Sequence, residues 1–443
     1  MWRVRRVIRW MRPGFYIKRW LVLILLGMGS LALAFAQLVI VIHDEWPRAV
    51  DAFVYDTLVG PAVTIGFLLL VGIGLIAFGA YRLNKSLMAP LHSPGSLREW
   101  VRMVRAYQQL RQGIRVVAIG GGTGMPSALR AMKSVTSNIT AVVTMADDGG
   151  SSGRLRRDLG VQPPGDLRNN ITALARDEDL MTQLFHFRFT SGELADHSFG
   201  NLFLAALVGM MGSMDHAAAV AGRVLAIQGR VLPCTLDDVN LVAEVRHRQS
   251  GEQLTIKGES NIPKSEWTIE HVFLEPSGVK AFPEVVAAIQ DAQLIVIGPG
   301  SLYTSILPNL IVDEVAEAIR ASAALTVYVC NIATQPGETD DYTVADHIMA
   351  IEQHVGVDIV DVVVANNHYP VANAGPNTIY VPPVPGNHAI RHRYRFVYAD
   401  LTDNQRPWRH DHEKLRQVLL SLRSDSFHRN AQRTHAGKTP VLR

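Results

Sequence analysis

The 443-residue sequence predicts an α/β fold: a doubly wound, mostly parallel sheet with a small inserted β-rich subdomain, preceded by two transmembrane helices. Three observations predict it. Short apolar runs end repeatedly in glycine-rich turns that lead into helix-compatible segments, the alternation that parallel sheets require. No internal repeat interrupts that alternation. Two long apolar runs near the start stand apart from it by length. The composition, 48% hydrophobic and 19% charged, is globular with apolar excess concentrated at the front. A formal net charge of +3, with the basic residues clustered at the ends and beside the apolar runs, argues against a nucleic-acid partner. Cys234 and Cys330 have no CxxC neighbour, which suggests inert buried thiols in a reducing compartment and no zinc site.

Residues 1–20 form a basic terminus carrying Arg3, Arg5, Arg6, Arg9, Arg12, Lys18 and Arg19. The runs 21–42 and 58–80 are each long enough to cross a hydrocarbon core of roughly 30 Å at about 1.5 Å per residue. The loop between them, 43–57, holds Asp44, Glu45, Asp51 and Asp56 against Arg48, and Arg82, Lys85, Arg98, Arg102 and Arg105 follow the second run. The positive-inside rule then places both termini and the main domain in the cytosol, making a two-helix cell-membrane protein with the lipid bilayer as partner. A rival reading takes the first run as a signal peptide cleaved near Ala34-Phe35-Ala36; the chain would still cross once and finish inside. Within the linker 81–114, Ser96 and Glu99 have capping-box spacing, and the helix they start could lie on anionic headgroups or pack on the main domain.

The domain expected over 115–422 opens with the strand Val116 to Ile119, then Gly120-Gly121-Gly122-Thr123-Gly124, then a helix with Pro126 in its first turn. Strand, glycine turn and helix offer backbone N–H groups and a positive helix end to a phosphate. The spacing is not the dinucleotide fingerprint, because Met125 or Ser127 occupies the third glycine position. The next strand, Ile139 to Met145, runs into Asp147-Asp148-Gly149-Gly150-Ser151-Ser152-Gly153. In a Rossmann-like sheet either aspartate could accept a ribose hydroxyl, or one could hold magnesium.

Further polar stations follow the same logic. After Pro163-Pro164-Gly165, Arg168 could clamp a diphosphate and Asn169 could read a base or sugar; alternatively Asp166 caps a helix and Arg168 is a surface residue. His186, in the alternating stretch Phe185 to Phe189, reads as a half-buried strand histidine. His197 reads as a cap or hydrogen-bond donor at a helix start. Leu294 to Ile297 leads into Gly298-Pro299-Gly300-Ser301-Leu302-Tyr303-Thr304-Ser305, and Val327 to Cys330 leads to Asn331, Thr334, Gln335 and Glu338. Four strands with polar carboxyl-end loops define one crevice. The region about 231–275, with β-type runs at Val231 to Thr235, Val242 to Val245 and Leu254 to Ile256, reads as the insert. The basic tail 423–443 reads as disordered.

These loops, together with His197-Ser198-Phe199-Gly200-Asn201-Leu202, Gly258-Glu259-Ser260-Asn261-Ile262 and Asn331-Ile332-Ala333-Thr334-Gln335-Pro336-Gly337-Glu338-Thr339, resemble the CofD-like superfamily, and within it the YvcK-type gluconeogenesis factors. The resemblance runs in consistent order from Arg115 to Leu422. The membrane runs, and Ala333 in place of a methionine, depart from the usual pattern. The resemblance implies a binder of a UDP-sugar such as UDP-N-acetylglucosamine, tied to cell-wall growth and cell shape on gluconeogenic carbon. It implies ligand contacts from Gly120 to Gly124, Asp147 to Ser152, Arg168, Asn169, Asn201, Gly300, Ser301, Thr304, Asn331 and Gln335. Its other branch implies a magnesium-dependent 2-phospholactyl transferase, with the metal on Asp147 and Asp148. A nicotinamide oxidoreductase is a third class, and it lacks both the fingerprint and a proton donor. A regulatory protein partner and a homo-oligomer are further expectations.

Overall fold

A computed structural model describes residues 17–43, 65–82, 108–176, 180–262, 266–370 and 379–422. The expected basic terminus up to residue 16, the external loop, the linker helix begun at Ser96 and the basic tail lie outside the described residues. The chain divides into two compact units, Met1–Arg102 and Met103–Arg443.

In the first unit, helix α1 (Ile17–His43) contains the first expected span. Helix α2 is described over Ile65–Arg82, and the start of the second expected span, 58–64, lies outside the described residues. With a mean hydropathy of 1.9 over 18 residues, α2 is long and apolar enough to cross a membrane; α1 contributes the shorter apolar stretch Val22–Ala36. The two helices meet through small residues. A Cβ on Gly27 would lie 2.8 Å from the Gly72 carbonyl oxygen, and one on Gly72 would lie 3.0 Å from that of Gly27. Ser30 Oγ donates to the Leu68 carbonyl at 2.9 Å. Leu25, Leu26, Phe35, Phe67, Leu70 and Ile73 point away from this contact and are exposed.

The second unit is built on a seven-stranded sheet. Its strands are β1 (Val116–Gly120), β2 (Ile139–Val143), β3 (Arg230–Pro233), β7 (Leu294–Ile297), β8 (Leu325–Val329), β9 (Val362–Asn366) and β10 (Arg395–Ala399). All neighbours pair in parallel in the order β10-β9-β8-β7-β1-β2-β3, with Val116 opposite Ile139 on one side and Leu294 on the other. Every residue of β1, β2, β7 and β9 is buried, because helices cover both faces. Short β-branched runs suit that environment, and each fully buried Val, Ile or Leu contributes about 1.5–3 kcal/mol of apolar burial. The crossovers include α3 (Met125–Lys133), α4 (Gly150–Leu159), α5 (Gly165–Leu174), α6 (Leu180–His186), α7 (Phe199–Met211), α8 (Met214–Val224), α9 (Pro283–Gln290), α10 (Asp313–Ala321) and α11 (Val344–Val355).

The insert is smaller than expected. Strands β4 (Asn240–His247), β5 (Gln253–Lys257) and β6 (Trp267–Glu275) form an antiparallel sheet in the order β5-β4-β6. Residues Val231 to Thr235, expected within it, instead supply β3, the edge of the main sheet. The pairing of Val231 with Ala141 and Leu232 with Val142 buries both side chains more fully than an exposed hairpin would. Phe185 to Phe189 is likewise not a strand. Helix α6 ends at His186, which turns Phe185 into the core against Phe199 and Phe203. His186 Nε2 then meets Thr172 Oγ1 at 3.2 Å.

Candidate functional site

From β1 the chain steps outward through β2 to β3, then returns to the other side of β1 at β7 and steps outward again to β10. The order therefore reverses between β1 and β7, and the loops at their carboxyl ends must part there, which is where open parallel sheets bind ligands. The loops after β1 and β7 face each other across this point. A Cβ on Gly124 would fall 2.6 Å from the Pro299 carbonyl oxygen and 2.8 Å from Gly300 Cα, so only glycine allows the approach. Gly122 has φ of 61°, a left-handed conformation that side chains resist.

The resulting crevice has a volume of about 820 Å3. Of the residues expected at the site, Gly122, Thr123, Gly124, Gly300, Ser301, Thr304, Asn331 and Gln335 line it. They are already knitted together. Ser301 Oγ accepts from the Thr304 N–H at 3.0 Å and donates to the Glu338 carboxylate. Gly300 N–H donates to Asn331 Oδ1 at 3.2 Å, and Asn331 Nδ2 donates to Gln335 Oε1 at 3.1 Å. A linked set of this kind holds its hydroxyls and amides in place for a polar ligand.

Acids gather beside the β1 loop and in the crevice wall: Asp147, Asp166 and Glu259 are half-buried and Glu338 is buried. Gly122 N–H donates to Asp166 Oδ2 at 2.7 Å. Asp166 is the second residue of α5, so its carboxylate braces the glycine loop and does not cap its own helix. Burial, and then the charge of Asp147, push the Asp166 carboxyl up to about 7. Burial, and then Asp147 and Asp166, push Glu259 up to about 8. Burial pushes Glu338 up to about 7 against the hydrogen bond from Ser301. Asp147 is raised mainly by burial, although Gly149 N–H donates to it at 2.9 Å.

The second glycine loop does not open onto the crevice. Ser151 Oγ is buried, 2.9 Å from His197 Nδ1 and 3.1 Å from Asn201 Nδ2, which donates to it. Ser152 Oγ accepts from the Gly165 N–H at 3.1 Å. The Asn201 amide N–H and Ser151 Oγ thus engage each other inside the protein, while Asn201 Oδ1 has no partner among the described residues. Arg168 is not a crevice clamp either. It is 6% exposed, donates to Ser198 Oγ and to Asn169 Oδ1, and is drawn down to about 10 chiefly by burial. Asn169 touches the β1 loop only through a 3.4 Å bond to the Gly122 carbonyl. The Gly120 carbonyl is taken by Asn309 Nδ2 at 3.0 Å, and Gly121 packs on Asp166. Asp148 turns toward the insert, where it accepts from the Ser260 N–H at 2.8 Å. Asp147 turns toward Ser152 and the start of α5. The two carboxylates are therefore not a ready magnesium pair. Among the described residues no group of three or more His, Cys, Asp or Glu side chains has ion-holding geometry.

Three arginines that sequence reasoning missed supply the opposite charge. Arg130 from α3, and Arg406 and Arg409 from the segment after β10, line the crevice with Trp408, His410 and His412. Arg409 is lowered from its ordinary value by burial first, then by the nearby charges of Arg406 and Arg130, with Asp403 opposing. The segment returns over the sheet because residue 402 bridges to 410 and His410 Nε2 donates to the Cys330 carbonyl at 3.2 Å. Burial holds His410 at about 4, so it stays neutral. The missed signal was β10 itself, since its carboxyl-end loop obeys the same rule as the others.

The family described as 2-phospho-L-lactate transferase CofD matches residues 116–427, which is most of the chain. The chain belongs to the CofD family. Within it, the similarity is to the YvcK-type branch. A Bacillus subtilis protein named gluconeogenesis factor is 46% identical over 254 residues, covering 57% of this chain and 78% of that one. A gluconeogenesis factor from Halalkalibacterium halodurans is 48% identical over 247 residues, covering 56% and 75%. A crystal structure of a UPF0052-family protein from Bacillus halodurans superposes with a TM-score of 0.65 at 40% identity. It covers 70% of this chain and 99% of its own, so this CofD-family chain carries additional sequence.

Proposed function

We propose that this CofD-family protein is a membrane-anchored binder and sensor of a nucleotide sugar of the UDP-N-acetylglucosamine class, serving wall growth and cell shape on gluconeogenic carbon. The observation that carries the reading is the meeting of Arg130, Arg406 and Arg409 with two glycine loops at the chain-reversal crevice. Clustered guanidinium groups that repel one another gain most from a multiply charged anion such as a diphosphate. Trp408 offers an aromatic face at the same wall, suited to stacking on a base, while the linked hydroxyls and amides suit a sugar. Ser301 Oγ donates to Glu338 in the crevice, and in a recognition site that bond serves to hold the hydroxyl in place for the ligand. The apolar outward faces of α1 and α2, with small residues and Ser30 at their contact, support the two-helix anchor. The regulatory partner and any self-association follow from the sensor role and remain to be identified by capture from the membrane.

Titration calorimetry with UDP-N-acetylglucosamine, with and without magnesium, tests the ligand. Binding that ignores magnesium and returns the sugar nucleotide intact is expected. Magnesium-dependent binding ending in turnover would sink the sensor and favour the transferase. That second reading has one observation behind it: Asp147, Asp166 and Glu259 are mutually repelling, half-buried carboxyls beside the glycine loop. A divalent cation held by Asp147 and Asp166 would relieve that repulsion and neutralise charge on a transferring phosphoryl group.

A further inference from the structure

A second cavity, of about 610 Å3, lies at the amino ends of β1, β2 and β3, the opposite edge of the sheet from the crevice. Four arginines from separate parts of the chain line it: Arg111 and Arg115 ahead of β1, Arg176 after α5, and Arg230 at the start of β3. Among the described residues Asp291 is its one acidic lining residue, and Asn138 and Gln228 add amide groups. Helix carboxyl ends gather at this edge and favour cations, so the bland account is that the arginines offset helix dipoles. That account covers Arg115, whose Nε donates to the Asp291 carbonyl at 2.5 Å and pairs with the Asp291 carboxylate at 2.9 Å just beyond α9. It does not cover Arg230. At the end of α5 the Leu174 carbonyl accepts from Gln228 N–H at 2.8 Å, and the Ala175 carbonyl accepts from Lys133 Nζ at 3.1 Å. Arg230 is steadied by Thr140 Oγ1 at 3.0 Å and Glu284 at 3.3 Å, which orients its guanidinium at the cavity without closing a helix end.

We propose that this arginine-lined cavity binds a phosphate-bearing anion, as a site separate from the crevice. Guanidinium forks matched to phosphate oxygens supply the recognition. Two sources share that chemistry: a soluble phosphorylated metabolite, and the headgroup of an anionic phospholipid. The lipid source rests on the membrane anchoring proposed above, and the soluble source does not.

The test is phenylglyoxal footprinting of the full chain, with each modified arginine mapped by mass spectrometry. The soluble arm uses inorganic pyrophosphate on the detergent-held protein. The lipid arm compares nanodiscs of phosphatidylcholine alone with nanodiscs containing phosphatidylglycerol. Near ten times the dissociation constant, occupancy slows modification of Arg111, Arg176 and Arg230 roughly tenfold. Protection by pyrophosphate assigns a soluble ligand, and protection only in the anionic nanodiscs assigns a headgroup. Repeating the soluble arm in Gly122→Val separates the two sites, because protection of Arg176 and Arg230 persists there while protection of Arg409 is lost. Arg176→Gln should cost Arg111 and Arg230 most of their protection. Unchanged modification rates at all three positions with both probes overturn the proposal, and leave the arginines as helix-end counter-charges.

Discussion

Two loops of similar composition close neighbouring strands, one after β1 and one after β2, and they end in different environments. Gly122, Thr123 and Gly124 line the crevice. Ser151 and Ser152 lie 5% and 3% exposed, bonded to His197, Asn201 and the start of α5. Glycine and hydroxyl content at a strand end thus marks a tight turn, and position in the sheet decides what the turn does. The β1 loop borders the reversal of strand order; the β2 loop is one strand removed, where helices α5 and α7 cover it.

The sharpest way to break this contrast is Gly122→Val. A side chain at φ of 61° costs about 1–2 kcal/mol and fills the crevice floor, so the domain should still fold while affinity for the nucleotide sugar falls by more than about a hundredfold. Affinity unchanged by calorimetry would move the site away from the β1 loop. Next, Arg409→Ala should weaken binding by about ten- to a hundredfold, through loss of charge-assisted bonds of roughly 1.5–3 kcal/mol. Added salt should narrow that difference.

The acids around the crevice make a third prediction. Asp166, Glu338 and Glu259 have folded-state values raised to about 7, 7 and 8 from 3.8, 4.5 and 4.5. The fold therefore favours their neutral forms. That stabilisation is complete below their ordinary range, falls progressively as pH rises above it, and is gone once pH passes about 7 to 8. Melting temperature should fall from about pH 4.5 to about 8 and level off above it, and anion affinity should fall as the acids ionise through about 7 to 8. Glu259→Gln should flatten part of both slopes, and a wild-type protein indifferent to pH there would contradict the burial argument. By contrast, Ser151→Ala should lower stability by about 1–2 kcal/mol in chemical denaturation, since His197 and Asn201 lose a buried partner. Its effect on ligand affinity should be under about threefold. The smallest effect is expected for Asp148→Asn, which keeps an acceptor for the Ser260 N–H and should leave binding intact by calorimetry.

The fold was legible where periodicity carried it. The apolar strands that became β1, β2, β7 and β8 stand out in the sequence because both faces are buried, and each is followed by an obvious turn. Strand β10 was not legible: all five of its residues are only half-buried, and its polar Arg395 and tyrosine disguise it. With β10 went its loop, and with the loop went Arg406, Trp408 and Arg409. Arg130 was hidden for another reason. A lone arginine in a helix has no local signature, and only the approach of a distant segment gives it a role. Arg168 misled in the opposite direction, since its neighbours Asp166 and Asn169 suggested a binding station, while the turn of α5 buries its guanidinium under α7 beside Ser198.

The bond from Gly122 N–H to Asp166 has a consequence for how binding is measured. That N–H faces a carboxylate belonging to the protein, so an incoming phosphate that claims it must evict an internal rival. Association there is an exchange of one anion for another. Its calorimetric heat will contain a broken bond as well as a made one, and the evicted carboxyl, near its own midpoint at neutral pH, will take up or shed protons with the event. Heats recorded in buffers of different ionisation enthalpy should therefore differ, although the affinity at a given pH does not.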